Sequence, residues 1–395
     1  MEISGKYGTA KIFNDGTQDY QVMGQLRQIM NSMLAEGTQV RVMPDVHTGK
    51  GCVIGFTQRL NREAPRISPN IVGVDLGCSV TTGRLKTTQI PDFAEFDRFI
   101  RQNIPLGAGA YLQTIQKTWT KVDRATFRHA DKVLFEEAEK ILDEDAPPQL
   151  ALKTPILQQL KSLGSGNHFL ELGRDPEGRL WLSAHSGSRQ FGMTTANIYQ
   201  YHAEKYCREK GYSIPGDLCF LDPETPYWRR YLTCVAAAQR FATINHQMML
   251  RDILQNFFHE EAFEEWITSM HNYVDLDEMV LRKGAIAAHE GEACLIPFNM
   301  RDGLAVCRGK GNDDWNFSAP HGAGRLMSRS QAKQVVQLAS VKEDMAQHGV
   351  YTTSLEYALD EAPDAYKPME GILQCIEPTV EVAFLIKPLY NVKGR

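Results

Sequence analysis

Apolar residues recur at helical spacing through several long segments of the chain. Residues 17–35 have apolar side chains three or four positions apart, which predicts an amphipathic helix. These apolar residues are Val22, Leu26, Met30 and Met33. The same periodicity predicts further helices over residues 91–104, 122–144, 193–210, 225–258 and 325–340. Helices therefore account for a large part of the predicted structure.

Short apolar runs bounded by turn residues predict strands. The first is Gln39–Met43, which leads into a predicted loop over residues 44–51. Further short strands are predicted over residues 51–58, 71–75 and Thr81–Lys86. Since strands and helices follow one another in mixed order, without regular βαβ alternation, the sequence predicts an α+β fold rather than a doubly wound sheet.

A turn sequence between two apolar segments predicts a β-hairpin. Asp175–Gly178 has Asp, Pro and Gly at the first, second and fourth positions of a type I turn. If Asn167–Leu172 and Arg179–His185 pair with the midpoint at the centre of this turn, His168 lies opposite His185. Opposed residues point to the same face, about 5 Å apart at the backbone. The sequence thus predicts two neighbouring imidazoles, which suit a metal ion or a phosphate.

Composition indicates a folded protein without a membrane segment. Of the 395 residues, 43% are apolar and 23% are charged, which is ordinary for a globular protein with a sizeable core. We predict one large domain over residues 1–395, with Asp145–Pro148 as a weak candidate boundary. The net charge of -5 excludes no nucleic-acid partner, because basic residues can cluster locally. Without an apolar leader or a run of about 18 apolar residues, we expect a cytoplasmic protein.

Asp75 and Cys78 place a carboxylate and a thiol on one turn. Their spacing of three residues, around Gly77, lets both side chains reach a common ion. A thiolate can bridge two metals and a carboxylate suits harder ions, so the mixed pair suggests a binuclear site. The donor set alone favours zinc.

His321 lies in the segment Ser318–Arg329, on a loop flanked by glycine and followed by Arg325 and Arg329. Imidazole is a good nucleophile when it is neutral, and arginine binds phosphate bidentately. Together with the candidate metal ligands, this segment predicts a site for metal-assisted phosphoryl transfer.

Nine segments follow one another in the order found in the RtcB family of RNA ligases. They are MPDVHTGKG, VGVDLGCSV, LGSGNHFLEL, HSGSRQFG, HNY, LRKGA, SAPHGAGRLMSR, EAPDAYKPME and NVKG. The chain resembles that family over nearly its whole length. The resemblance implies a family-specific α+β fold, with mixed sheets flanked by helices around a binuclear metal cleft.

The resemblance also implies an activity. Members of the family join RNA ends that carry a 2′,3′-cyclic phosphate or a 3′-phosphate to RNA ends with a 5′-hydroxyl, using GTP and manganese. We therefore expect a GTP- and Mn²⁺-dependent RNA ligase that acts in tRNA splicing or RNA repair. Its expected partners are RNA, such as tRNA halves, and an archease-like activator.

Each matched motif implies roles for residues of this chain. Cys78 resembles the thiolate that bridges two Mn²⁺ ions, with Asp75 and His168 at one ion and His185 and His271 at the other. His321 resembles the histidine that attacks the α-phosphorus of GTP and becomes guanylylated. The implied GTP contacts are Asn167, Phe169, Glu171, Tyr366 and Lys393. The implied RNA phosphate contacts are Arg189, Lys283 and Arg329.

The chain departs from the family pattern at four places, which indicates a divergent subgroup. Pro297–Met300 reads Pro-Phe-Asn-Met where the family has Pro-Gly-Ser-Met, which puts the nucleotide contacts there in question. Ser79-Val80 replaces the usual Gly-Met, and Asn245-His246 replaces Asn-Arg. His289 lies in an AHEGE segment that the main branch lacks.

Two other functions fit parts of the pattern. A binuclear phosphoesterase that only opens cyclic phosphates would use the metal ligands without needing His321. An RNA-binding protein without catalysis would keep Arg189 and Arg329 but could lose Cys78. The presence of all the candidate ligands together with His321 favours the ligase. Asp45 and His47 could either organise their loop or assist the metal site.

Overall fold

The computed structural model describes residues 1–14, 19–107, 109 and 119–395, and mixes helices with strands as predicted. The strands are β1 Glu2–Ser4, β2 Thr9–Ile12, β3 Gln39–His47, β4 Ile54–Arg59, β5 Ser79–Arg84, β6 Phe169–Arg174, β7 Leu180–Ser186, β8 Glu265–Met270, β9 Asn272–Asp275, β10 Val280–Lys283, β11 Ala285–Ala287, β12 Ala293–Pro297, β13 Leu304–Gly309, β14 Ser318–Pro320 and β15 Val380–Lys393. The helices are α1 Tyr20–Met30, α2 Pro69–Val72, α3 Phe93–Asn103, α4 Lys121–Thr126, α5 His129–Asp145, α6 Arg189–Glu209, α7 Tyr227–Asn256, α8 Arg329–Val335, α9 Leu338–Gln347 and α10 Met369–Ile376. None of the helices in these ranges has the length and hydropathy needed to cross a membrane.

The described strands form two larger sheets and one short pair. The first sheet has the order β1-β2-β3-β4-β10-β9, and the second has the order β12-β13-β15-β6-β7-β5-β8. Strands β11 and β14 pair separately. Except for the parallel pair β2–β3, neighbouring strands run antiparallel. This pattern confirms the predicted α+β class, since a doubly wound fold needs a parallel sheet. That residues 1–395 form one domain stays a prediction.

Helix α7 lies between two apolar cores. Phe241 and Ile244 belong to a cluster with α1, α5, α6 and the first sheet. Met249, Leu250 and Ile253 belong to a second cluster, with α3 and the second sheet. A helix that is apolar on several sides is buried on several sides, so the composition of α7 explains its central place.

Two segments have a different structure from the one predicted. Residues 71–75, predicted as a strand, contain the last two residues of the short helix α2 and the irregular segment after it, because Pro69 at its first position has the φ that a helix start requires. The predicted loop over residues 44–51 is shorter than expected, because β3 continues to His47 and pairs there with Ile54 beyond an irregularity. This extension places Asp45 within a strand.

Two of the predicted long helices are divided into shorter ones, and a polar side chain caps the N-terminus of a shorter helix in each case. The helix over residues 122–144 is divided into α4 and α5 at Arg128, whose extended backbone donates to the Asp131 side chain. The helix over residues 325–340 begins only after Ser328, whose hydroxyl accepts from Gln331 N, and it is interrupted again before α9. Residues 17 and 18 of the first predicted helix lie outside the described residues, and α1 begins at Tyr20.

The hairpin of β6 and β7 forms, but its register is shifted by one residue. Phe169, rather than His168, lies opposite His185. The expected turn hydrogen bond from Gly178 N to Asp175 O is present at 3.0 Å. However, Gly178 has φ +85° and adds one residue to the loop, as in hairpins with a glycine bulge. His168 therefore precedes β6 and does not follow the alternation of the strand.

Asp175 stabilises this hairpin, and its removal should lower the free energy of unfolding. Its buried carboxylate accepts from Arg179 N at 3.0 Å and from the indole of the fully buried Trp181 at 2.9 Å. We expect Asp175→Ala to destabilise the fold by about 2–3 kcal/mol in urea denaturation, because the indole N–H loses its acceptor. The exposed Glu177→Ala should change stability by less than about 0.5 kcal/mol. Equal effects of the two substitutions would contradict this role.

Candidate active site

The candidate metal ligands meet at one end of the second sheet. Strands β5 and β6 start at this end, and the antiparallel β7 and β8 finish there. Asp75 and Cys78 precede β5, whereas His271 follows β8 and donates its backbone N–H to Cys78 O at 2.9 Å. Position 77, between Asp75 and Cys78, requires glycine because a Cβ there would come within 2.8 Å of the α7 backbone. The topology thus places five ligand side chains from distant sequence positions together.

These side chains form two groups that share Cys78. Cys78 Sγ lies 3.5 Å from His168 Nε2 and 3.3 Å from His185 Nε2. His168 Nε2 is 2.9 Å from Asp75 Oδ2, and His185 Nε2 is 3.3 Å from His271 Nε2. In each group the ligand atoms lie within 4.8 Å of one another. The grouping matches the sequence prediction, and its nitrogen, sulfur and oxygen donors suit a divalent transition metal.

Burial keeps His185 and His271 neutral, because it lowers the pKa of both imidazoles well below the usual range. His185 donates Nδ1–H to Asn167 O at 3.1 Å, so its Nε2 lone pair faces Cys78. Burial and the Asp75 carboxylate raise the pKa of the Cys78 thiol, so a metal ion would have to displace its proton. Burial opposes ionisation of Asp75, but His168 and Arg189 outweigh it and hold the pKa at about 2.

A cavity of about 530 Å³ opens beside this cluster. The predicted catalytic His321 and all five predicted GTP contacts line it, together with Arg329. The His321 ring lies 4.9 Å from that of His271, between ring centroids. The structure therefore brings the predicted nucleophile, the predicted nucleotide contacts and the candidate metal ligands into one site.

His321 is oriented by Asp45, whose role the sequence left open. His321 follows β14, and its Nδ1 lies 2.7 Å from Asp45 Oδ2 on β3. Because the Asp45 side chain is fully buried and accepts a hydrogen bond from Nδ1–H, the Nε2 lone pair of His321 is left for attack. His47 is held by Asp45 O, at 3.0 Å from its Nδ1, and burial lowers its pKa to about 4. Asp45 thus belongs to His321 rather than to the metal cluster.

The cavity is also lined by a buried carboxylate, that of Glu171. Glu171 on β6 lies opposite Asn391 on β15, and Asn391 Nδ2 donates to Glu171 Oε2 at 2.8 Å. Burial raises the pKa of Glu171 to about 7, although Asn391 and Lys393 partly offset it. Lys393 lies over the Phe169 ring at 5.3 Å, and burial lowers its pKa. Sequence reasoning missed Asn391, although its place in the NVKG motif, two residues before Lys393, is a signal.

Acidic side chains hold the basic and aromatic groups at the rim. Tyr366 donates its hydroxyl to Glu361, and the Arg325 guanidinium lies 5.1 Å from the centre of its ring. Arg329 Nη1 is 2.9 Å from Asp360 and 2.7 Å from Glu361. These pairs fix the arginines in place while leaving Arg329 partly exposed to the cavity.

The three predicted RNA contacts differ in their surroundings. Arg189 lies beside the cluster, with Nη1 3.4 Å from His168 Nδ1. Lys283 is buried and donates to the backbone oxygens of Lys50 and Asn70, at 2.8 and 3.0 Å. Lys283 therefore braces the Lys50 loop in this structure rather than facing solvent. Arg329 lines the nucleotide cavity, and both Arg329 and Arg189 approach the loop that contains Gly164 and Gly166.

The departures from the family pattern have structural explanations at two places. Phe298 is buried in the core of β12 and β13 and also lines the cavity. Asn299 closes the turn between these strands, because its Oδ1 accepts from the backbone of Arg301 and Asp302. His246 on α7 lies within hydrogen-bond distance of Ser186 O, at 3.0 Å, and of Thr81 Oγ1, at 2.8 Å. It thus connects α7 to the end of β7, next to His185.

A nucleophilic imidazole beside a Cys/His/Asp cluster and a nucleotide-sized cavity is typical of metal-dependent nucleotidyl-transfer enzymes. Comparison with known proteins agrees. A family model for tRNA-splicing ligase RtcB matches residues 25–394. The chain is 31% identical over 389 residues to RNA-splicing ligase RtcB of Escherichia coli (strain K12), covering 90% of each chain. It is 30% identical over 444 residues to tRNA-splicing ligase RtcB of Aeropyrum pernix, covering 93% of this chain and 91% of the relative.

The chain therefore belongs to the RtcB family of RNA ligases, which confirms the family and the enzyme class predicted from the sequence.

Proposed function

We propose that the chain is a GTP- and Mn²⁺-dependent ligase that joins 2′,3′-cyclic phosphate or 3′-phosphate RNA ends to 5′-hydroxyl ends through a guanylylated His321. The observation that carries this proposal is the His321–Asp45 pair at 2.7 Å, which points a nucleophilic nitrogen into a nucleotide-sized cavity. A phosphoesterase acting only on cyclic phosphates has no need of such a pair. Family membership supports an RNA substrate, such as tRNA halves or cleaved structured RNA.

The reaction divides into three transfers, and a 2′,3′-cyclic phosphate end is first opened by water to a 3′-phosphate and a free 2′-hydroxyl. His321 Nε2 attacks the α-phosphorus of GTP, so that an N–P bond forms and pyrophosphate leaves. The RNA 3′-phosphate then attacks this phosphorus, which releases His321 and leaves GMP on the RNA end. Finally the 5′-hydroxyl of the second RNA attacks the activated 3′-phosphate, GMP leaves, and a 3′,5′-phosphodiester forms. Asp45 stabilises the positive charge that His321 gains in the first step.

The two ligand groups that share Cys78 fit a pair of metal ions. Cys78 would contact both ions, with Asp75 and His168 at one and His185 and His271 at the other. Bound divalent ions stabilise negative charge on phosphate oxygens. The choice of Mn²⁺ comes from the family, since these donors also suit Zn²⁺ and Co²⁺. Arg189 and Arg329 would hold RNA phosphates, and Lys283 would act through the Lys50 loop.

The other cavity residues would hold GTP. Glu171 would accept hydrogen bonds from the guanine N1–H and 2-amino group, while Phe169 and Tyr366 would contact the base. Asn167 and Lys393 complete this set, with Lys393 held near Asn167 O at 3.5 Å. An archease-like activator and a cytoplasmic location remain expectations from the sequence.

GTP affinity should depend on pH through Glu171. The carboxylate accepts from guanine only when ionised, and burial raises its pKa to about 7. Between pH 8 and pH 6 the ionised fraction falls about tenfold, so GTP affinity should fall by a similar factor as pH decreases. Isothermal titration of wild type and Glu171→Gln should show this dependence only in wild type, because glutamine does not titrate. The same pH profile in both proteins would place guanine recognition elsewhere.

A joining assay tests the function as a whole. Purified chain, a 3′-phosphate RNA and a 5′-hydroxyl RNA should give a joined product only with both GTP and Mn²⁺. Opening of a cyclic phosphate without any joining would instead identify a phosphoesterase. Joining without GTP would contradict the guanylylated intermediate.

A further inference from the structure

One face of α1 connects the nucleotide cavity to a second cleft. Asp19 and Gln21, at the start of the helix, line the cavity that contains His321. Gly24 and Arg27 line a separate opening of about 590 Å³, here named the α1 cleft, together with Lys6, Tyr7, Asn31 and Tyr212. Gln21 and Arg27 are six residues apart, which corresponds to about 9 Å along the helix axis. The cavity and the α1 cleft are therefore joined by less than two turns of helix surface.

The α1 cleft is cationic on a protein that is acidic as a whole. Lys6 and Arg27 are both exposed, and the described residues that line the cleft include no Asp or Glu. Asn31 fixes the Lys6 backbone, since Lys6 N donates to Asn31 Oδ1 at 2.8 Å. With a net charge of -5 for the chain, an acid-free cleft with two cations is a local attraction for a polyanion.

Aromatic rings and a bare stretch of backbone accompany the charges. Tyr7 and Tyr212 line the α1 cleft, and Tyr20, 83% exposed, lies one turn before Gly24 on the same helix face. A Cβ on Gly24 would meet nothing within 4 Å, so packing does not require glycine there. Glycine also weakens a helix relative to alanine. Neither packing nor helix formation explains Gly24, and its missing side chain leaves the helix backbone open to close approach of a ligand.

The helix is fixed to a loop of the nucleotide cavity. Gln25 Nε2 donates to Gly49 O at 2.6 Å, and Gly49 N donates back to Gln25 Oε1 at 3.3 Å. Thr48, next to Gly49, lines the nucleotide cavity. A ligand on the exposed face of α1 therefore has a fixed position relative to His321.

We propose that the α1 cleft binds a single-stranded RNA segment a few nucleotides away from the end that reacts at His321. Cations that follow the phosphates and aromatic faces that stack on bases are the features by which proteins bind single strands without strong sequence preference. This inference rests on the proposed function, because it takes the RNA end to lie in the nucleotide cavity.

Charge reversal in the α1 cleft tests the proposal. The variant Lys6→Glu/Arg27→Glu is compared with Arg98→Glu, which reverses an exposed charge on α3 outside both openings. Fluorescence anisotropy measures binding of a long and a very short single-stranded RNA at several salt concentrations. For the long RNA we expect at least about tenfold weaker binding by the cleft variant and a salt slope smaller by about 0.7 per lost phosphate contact. The short RNA and the Arg98→Glu variant should show no change.

A second variant separates stacking from charge. Tyr212→Ala should weaken binding of the long RNA without changing the salt slope, because it removes no cation. The proposal is wrong if the cleft variants bind long RNA as wild type does, or if Arg98→Glu loses as much affinity. Loss of equal size for short RNA would also overturn it. Failure of the proposed function has a different signature, because wild type would then take no label from α-labelled GTP whatever the RNA length.

Discussion

Replacing Cys78 by alanine is expected to abolish RNA joining and to empty both metal sites. The Cys78 thiol is the ligand common to the two groups, and its Sγ lies 3.3–3.5 Å from His185 and His168. Loss of residues that only support a ligand already costs about 10–100-fold in affinity or activity, so loss of the shared ligand should exceed 100-fold. Mn²⁺ bound per chain, measured after dialysis, and the joining rate should both fall.

A buried cysteine outside the cluster provides the control for this prediction. Cys294 packs in the core of β12 and β13, and Cys294→Ala should keep both the metal content and most of the joining rate. Unfolding curves of the two variants show whether either fold is disturbed. If Cys78→Ala binds two Mn²⁺ ions with unchanged affinity and still joins RNA, Cys78 is not a shared metal ligand.

Replacing Asp45 by asparagine should slow guanylylation by about 10²–10⁴-fold, the range of a positioned acid–base partner. The fully buried carboxylate keeps the proton on His321 Nδ1, and a neutral amide neither fixes this tautomer nor stabilises the charged imidazole. Transfer of label from α-labelled GTP to the chain, followed with time, measures the rate. Binding of GTP should change far less than the rate.

The exposed Asp364 offers a matched control, because Asp364→Asn makes the same substitution outside the buried pair. It should leave the rate of label transfer unchanged. If Asp45→Asn transfers label as fast as wild type, Asp45 supports only the local structure of β3. The hydrogen bond between Asp45 and His321 would then have no role in guanylylation.

Several parts of the site could be predicted from the sequence, because their structure depends on neighbouring residues. The helix α1, the hairpin turn at Asp175 and the turn carrying Asp75 and Cys78 depend on nearby apolar periodicity and turn residues. The grouping of the candidate metal ligands was predicted by resemblance, and the structure explains why these side chains meet by the shared end of β5, β6, β7 and β8. Such a meeting of strand ends requires the sheet order, which no local pattern contains.

The errors have local physical causes that the sequence pattern does not show. The one-residue shift of the hairpin comes from the positive φ of Gly178, since a glycine at a turn fits loops of more than one length. The partner of His321 was missed because Asp45 was assigned to a loop, whereas an irregular pairing of β3 with β4 carries the strand to His47. Lys283 has a buried amine that is bonded to backbone oxygens of distant segments, and its implied role as an RNA phosphate contact stays a prediction.

Covalent transfer of label to His321 is the most direct test of the account. The chain would be incubated with Mn²⁺ and α-labelled GTP, without RNA, and then separated under denaturing conditions. We predict an acid-labile label on wild type that is absent from His321→Ala and still present on His348→Ala, an exposed histidine far along the chain. A wild-type chain that takes no label, or a His321→Ala chain that takes as much, would contradict guanylyl transfer to His321.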